Sequence, residues 1–101
     1  MINRDEMIKI SNDRKLGLIT RQKQMMLGGI ERELRESDNL NHLMFYVPTY
    51  VDEDIKEEVV NEVIHDLINI YDFDAKYFSY EPATSMEPMD YGTPEHILIE
   101  W

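Results

Sequence analysis

Between Ile55 and Tyr71 the apolar residues Ile55, Val59, Val60, Val63, Ile64, Leu67, Ile68 and Tyr71 recur at three- and four-residue intervals. Only an α-helix gathers that spacing onto one side, and such a stripe must be buried against something. The flanking segments supply the surface. Residues His42 to Val47 are short, aromatic and β-branched and stop at Pro48. Ala75–Tyr80 and His96–Trp101 read as strands too, with Ile97, Ile99 and Trp101 on one face. Asp52-Glu53-Asp54 opens the helix with acids where its dipole favours them, and Asp72-Phe73-Asp74 ends it.

A longer helical segment precedes these elements. Asn3 and Glu6 have the spacing of a capping box, and Ile2 and Met7 that of a hydrophobic staple, so a helix is expected from Arg4. Ser11-Asn12-Asp13 offers a second set of caps at which the helix breaks or restarts. Leu16, Ile19, Met26, Leu27, Ile30 and Leu34 carry the period on to Glu36, and Ser37-Asp38-Asn39 stops it. Gly28-Gly29 inside the helix costs about 1 kcal/mol per residue relative to Ala, and reads as a close packing site, a bend or a tolerated weak spot.

The order is therefore α-β-α-β-β. The expected fold class is α+β, a small three-stranded mixed sheet with helices packed on one face. The first strand, second helix and second strand would form a right-handed βαβ unit, and the last two strands an antiparallel hairpin. A chain of 101 residues is one domain, 1–101, with a basic helical segment over 1–36 and an acidic β-α-β-β core over 37–101. So small a sheet leaves edges and apolar surface open. A homodimer is expected, with the charged N-terminal helix as its natural contact.

Charge is sorted along the chain. Residues 1–36 hold eight Lys/Arg against six Asp/Glu, whereas residues 37–101 hold only Lys56 and Lys76 against fifteen acids. The first part is net +2 and the second net −13, within a total of −11. A field of that sign repels nucleic acid and anionic membrane and attracts basic partners. Nucleic-acid binding through Arg14, Lys15, Arg21 and Lys23 is disfavoured for this reason. Neither a signal peptide nor a membrane span is legible, which predicts a cytoplasmic protein.

Catalytic chemistry finds little support. There is no cysteine, the four serines are scattered without a Gly-x-Ser-x-Gly, and Gly28-Gly29 is not followed by a phosphate-loop Lys-Ser/Thr. His42, His65 and His96 read as surface or edge residues. Glu62 and His65 have the Glu-x-x-His spacing of carboxylate-bridged di-iron bundles, but that site needs two such elements and this chain has one. Asp52–Asp54 and Asp72–Asp74 lack the glycine and terminal glutamate of a calcium loop. The expectation is a non-enzyme without cofactor or metal; a small metal-dependent hydrolase using His65 and neighbouring carboxylates is the competing reading from that class.

The acidic surface is what the sequence offers instead. Glu58, Glu62 and Asp66 fall at i, i+4 and i+8, with Glu57, Asn61, His65 and Asn69 beside them. At about 1.5 Å per residue this ladder sets a carboxylate every ~6 Å, of the order of the phosphate spacing on one DNA strand. Like charges at i,i+4 cost an isolated helix roughly 0.2–0.5 kcal/mol per pair, although a solvated face rich in Glu is also ordinary. Asp72 and Asp74 continue the field. So do Glu81, Glu87, Asp90 and Glu95 in the Pro/Gly-punctuated connection 81–95, where Met86, Met89 and Tyr91 offer apolar anchors. These ten acids are the candidate partner-binding residues.

With its charged N-terminal helix, short strand, acidic amphipathic helix and terminal Ile99-Glu100-Trp101, the chain resembles the small proteins that large lytic bacteriophages make early in host takeover. Several acidic members of that class are DNA mimics. One type blocks the bacterial nucleoid protein HU by occupying its DNA-binding surface as an acidic dimer. The resemblance implies a DNA-mimicking inhibitor of a basic host DNA-binding protein, acting in the bacterial cytoplasm. The alternative is a phage accessory protein that modulates a host enzyme through the 81–95 loop, with acidity serving only solubility.

Overall fold

The computed structural model describes residues 1–79 and 94–101. A single helix, α1 (Arg4–Glu36), is followed by strand β1 (His42–Tyr46), a 3₁₀ turn (Glu53–Ile55), helix α2 (Lys56–Asn69), and strands β2 (Asp74–Phe78) and β3 (His96–Glu100). The helix start is as the caps predict: Asn3 Oδ1 accepts from the Glu6 amide at 2.8 Å. Ser11-Asn12-Asp13 does not interrupt α1, because all three side chains face solvent and leave the helical hydrogen bonds intact. The acids Glu53 and Asp54 lie in the 3₁₀ turn that leads into α2.

The sheet corrects the expected pairing. Its order is β1-β3-β2, and both hydrogen-bonded pairs are antiparallel, so the sheet is not mixed. β1 and β2 do run in the same direction across α2, but β3 lies between them rather than at an edge. The composition of β3 explains its place. Ile97 and Ile99 are fully buried and Leu98 is half-buried on the other face, so this strand loses most by having an open side. Pairing continues one step beyond β1 at each end, where Val47 donates to Glu95 O and Trp101 to Asn41 O, both at 3.1 Å.

Both helices cover one face of the sheet. Strand alternation puts Leu43, Phe45, Ala75, Ile97 and Ile99 on that face, and they share a core with Met26 and Ile30 of α1 and Val59, Val60, Val63 and Leu67 of α2. Gly29 is the close packing site: a Cβ there would meet the Phe45 ring at 3.4 Å, whereas one on Gly28 would meet nothing within 4 Å. Ile68, in the last turn of α2, and Tyr71, two residues beyond its end, lie outside the core and are exposed. His96 also departs from expectation. It is 6% exposed on the central strand, stacked on Phe78 at 4.9 Å and edge-on to Tyr46 at 6.1 Å. Its Nδ1 lies 3.0 Å from Pro94 O. A carbonyl only accepts, so that nitrogen carries the proton.

Candidate protein-binding surface

α1 and α2 lie side by side and run in the same direction, and this arrangement decides the fate of the acidic ladder. Lys15 Nζ is 3.1 Å from Glu58, and Lys23 Nζ is 3.6 Å from Glu62 and 3.3 Å from Asp66. Every rung expected to face a partner is thus answered by a lysine of the chain's own first helix. Glu58 and Glu62 keep about half of their side-chain surface in solvent, at 44% and 53%, but Asp66 keeps only 12%. Hydrogen bonds from its own backbone, and then Lys15, hold the Glu58 carboxyl below the usual carboxylate range. α2 turns Glu57, Asn61, His65 and Asn69 to solvent, and that face carries one acid. The lysines read from sequence as disfavoured nucleic-acid contacts are instead internal counter-ions.

A second lysine gathers acids at the other side of the body. Lys56 Nζ bonds Glu53 at 2.7 Å and Glu95 at 2.9 Å, joining the start of α2 to the approach to β3. These two hydrogen bonds raise the Lys56 ammonium above its ordinary pKa. Glu95 therefore serves an internal bridge. Burial, with Glu95 adding to it, raises the Tyr77 phenol, and burial raises that of Tyr50.

Of the acids that make no ion pair among the described residues, Asp72, Asp74 and Glu100 lie together at one end of the sheet. Asp74 and Glu100 are cross-strand partners on the open face, with His42 opposite Glu100 on its other side. Asp72 precedes them in a left-handed conformation (φ 61°), which a short polar side chain tolerates. All four are exposed. Like charges directly opposite each other destabilise a sheet. Lys76, on the same face, makes no ion pair among the described residues. Asp54 and Glu57 are a smaller exposed group at the start of α2.

The structure thus brings Asp72 and Asp74 together, leaves Glu57 apart from them, and assigns Glu58, Glu62, Asp66 and Glu95 to internal bridges. Glu81, Glu87 and Asp90, with Met86, Met89 and Tyr91, lie outside the described residues. Glu100 was not singled out in the sequence. Alternation places it on the face opposite Ile97 and Ile99, but only the register with β2 sets it against Asp74. Two grooves flank the exposed Gly28: one of about 410 Å³, lined by Leu27, Leu34, Leu67, Tyr71 and Phe73 among others, and one bordered by Met25, Tyr46 and Tyr50. Among the described residues no three His, Asp or Glu side chains converge on a point that would hold a metal ion. No described helix is long and apolar enough to cross a membrane. Comparison with protein-family models, curated proteins and solved structures finds no match to this chain.

Proposed function

We propose that this chain is a non-enzymatic binding protein whose acidic body occupies the DNA-binding surface of a basic host protein and keeps DNA away from it, the nucleoid protein HU being the favoured target. The observation that carries the reading is the open row of Asp72, Asp74 and Glu100. Folding gains little from setting two carboxylates opposite each other while Lys76 of the same face makes no ion pair among the described residues, whereas a cationic partner gains a ready-made anionic edge. The whole-chain charge of −11 supplies long-range attraction for the same partner. Choice of HU rests on the resemblance to host-takeover proteins.

The test is binding to purified HU at rising salt, with displacement of labelled DNA as the readout. Charge-driven association is screened within about 8 Å at physiological ionic strength, so affinity should fall steeply between low and high salt. Asp72→Asn, Asp74→Lys and Glu100→Lys together should lower affinity at least tenfold while leaving the far-UV circular dichroism unchanged. Binding indifferent to salt and to these changes removes the mimic reading and favours the apolar residues of the 81–95 connection. Reversal of Glu58, Glu62 and Asp66 is a poor test, because it breaks contacts that hold α1 on α2.

A further inference from the structure

Strand β1 ends the sheet on one side, and half of its backbone groups point away from its neighbour. Hydrogen-bonded and non-bonded pairs alternate along an antiparallel ladder. The bonds from Val47 N to Glu95 O and from Trp101 N to Asn41 O fix the phase, so Leu43 and Phe45 turn their N–H and C=O to β3. His42, Met44 and Tyr46 turn theirs outward, where no described residue bonds them. β1 carries no Lys, Arg, Asp, Glu or Pro, the residues that usually blunt an edge. The opposite edge is better guarded: β2 bears Asp74 and Lys76, and the Phe73 amide beside it is bonded to Leu67 O at 2.9 Å. Along the open edge of β1 runs the second of the two grooves that flank Gly28, between α1 and residues 45–50. Met25, Tyr46 and Tyr50 border it, between 42% and 55% exposed. The missing side chain of Gly28 leaves room there, since a Cβ would meet nothing within 4 Å.

We infer that β1 takes an extended, basic segment of a partner protein as a fourth strand, its backbone bonded to His42, Met44 and Tyr46. Side chains alternate along such a strand. Those beside Leu43 and Phe45 enter the groove next to Met25 and Gly28, which suits apolar residues. Those beside His42, Met44 and Tyr46 lie on the open face, where Lys or Arg stems cover the exposed Met44 and Tyr46. A cation beside His42 extends the row of His42, Glu100 and Asp74, with Glu100 two strands away, about 10 Å. Charge selects a basic occupant, because residues 37–101 are net −13. Shape selects a segment over a second copy. α1 lies over β1, where Gly29 meets Phe45, and α2 packs over β2. A second chain joined antiparallel through its own β1 would set the two α1 helices about 5 Å apart, whereas helices pack about 8–10 Å apart. A lone strand brings no helix with it. The site adjoins the acidic row of the proposed function and does not depend on HU being the partner.

The test uses the peptide Lys-Val-Lys-Val-Lys-Val-Lys, end-blocked and fluorescently labelled, beside a control of equal charge in which Pro replaces two of the valines. Anisotropy titration with the full chain should show the first bound at least tenfold tighter, since proline removes strand hydrogen bonds and leaves the charge. Amide exchange followed by NMR should find His42, Met44 and Tyr46 unprotected in the free chain and slowed at least tenfold with the peptide bound. Leu43 and Phe45 should be protected throughout. Met44→Pro removes an outward N–H and no bond to β3, so it should lower peptide affinity at least tenfold and keep the far-UV circular dichroism. Equal binding of the two peptides, binding that leaves the three amides unprotected, or an affinity unmoved by Met44→Pro overturns the inference. So does protection of these amides in the peptide-free chain that grows with protein concentration, which would put a second copy on the edge. A peptide that adds to β1 while HU is not bound strikes the proposed target alone.

Discussion

Lys23 is the side chain on which the junction of the two helices turns. It is 19% exposed and stands between Glu62 and the sequestered Asp66. Lys23→Met keeps the aliphatic stem but leaves Asp66 without its counter-ion, and should cost about 1–3 kcal/mol in urea unfolding. Lys15→Met removes only an exposed pair and should cost under about 1 kcal/mol, so the two variants separate a half-buried bridge from a surface one. The adjacent glycines make a similar contrast. Gly28→Ala enters open space and gains helix propensity, so it should stabilise by about 0.5–1 kcal/mol. Gly29→Ile drives side-chain atoms into the Phe45 ring and should destabilise by about 1–3 kcal/mol. Equal effects at both glycines would contradict the close approach of α1 to β1.

At the scale of elements, Lys56 joins the first turn of α2 to the residue before β3. Its raised pKa sets a sign. The folded state holds the proton more tightly than the unfolded chain, so the bridge contributes fully below the ordinary lysine value of 10.5 and is lost as pH rises through the raised one. Tyr50 and Tyr77, also raised, add loss in the same direction. The urea midpoint should therefore decline through the alkaline range, and Lys56→Met should lower the neutral-pH midpoint and flatten that decline. At the acid side Glu58, held low chiefly by its own backbone and then by Lys15, gives stability that is lost as pH falls through its depressed pKa. The exposed start of α1, residues 4–18, behaves as a separate element. Asn3→Ala removes the cap on the Glu6 amide and should reduce helical circular dichroism without moving the unfolding midpoint of the body.

For the molecule as a whole, the exposed start of α1 is set off from the packed part by the place where burial begins, at Gln22. Removal of residues 1–14 spares Lys15, Gln22 and every core residue. The shortened chain should unfold within about 0.5 kcal/mol of the full chain, the range of changes made away from packed features. Elements with a local signature were legible in the sequence: the start of α1 at Asn3, its end at Glu36, the stripe of α2, and three strands placed to within two residues. Each rests on spacing or capping within one segment. Strand order was not legible, because β1 and β3 are 50 residues apart from end to start and nothing within either names its neighbour. The acidic ladder was legible as a pattern on α2, but its counter-ions lie on another helix, so that sequence alone could not show the ladder already engaged. What the sequence determined by itself is the set of elements, the composition of the core and the sign of the field. Only the tertiary structure decided which charges cancel and which remain, since an ion pair depends on two side chains meeting in space rather than on their places along the chain.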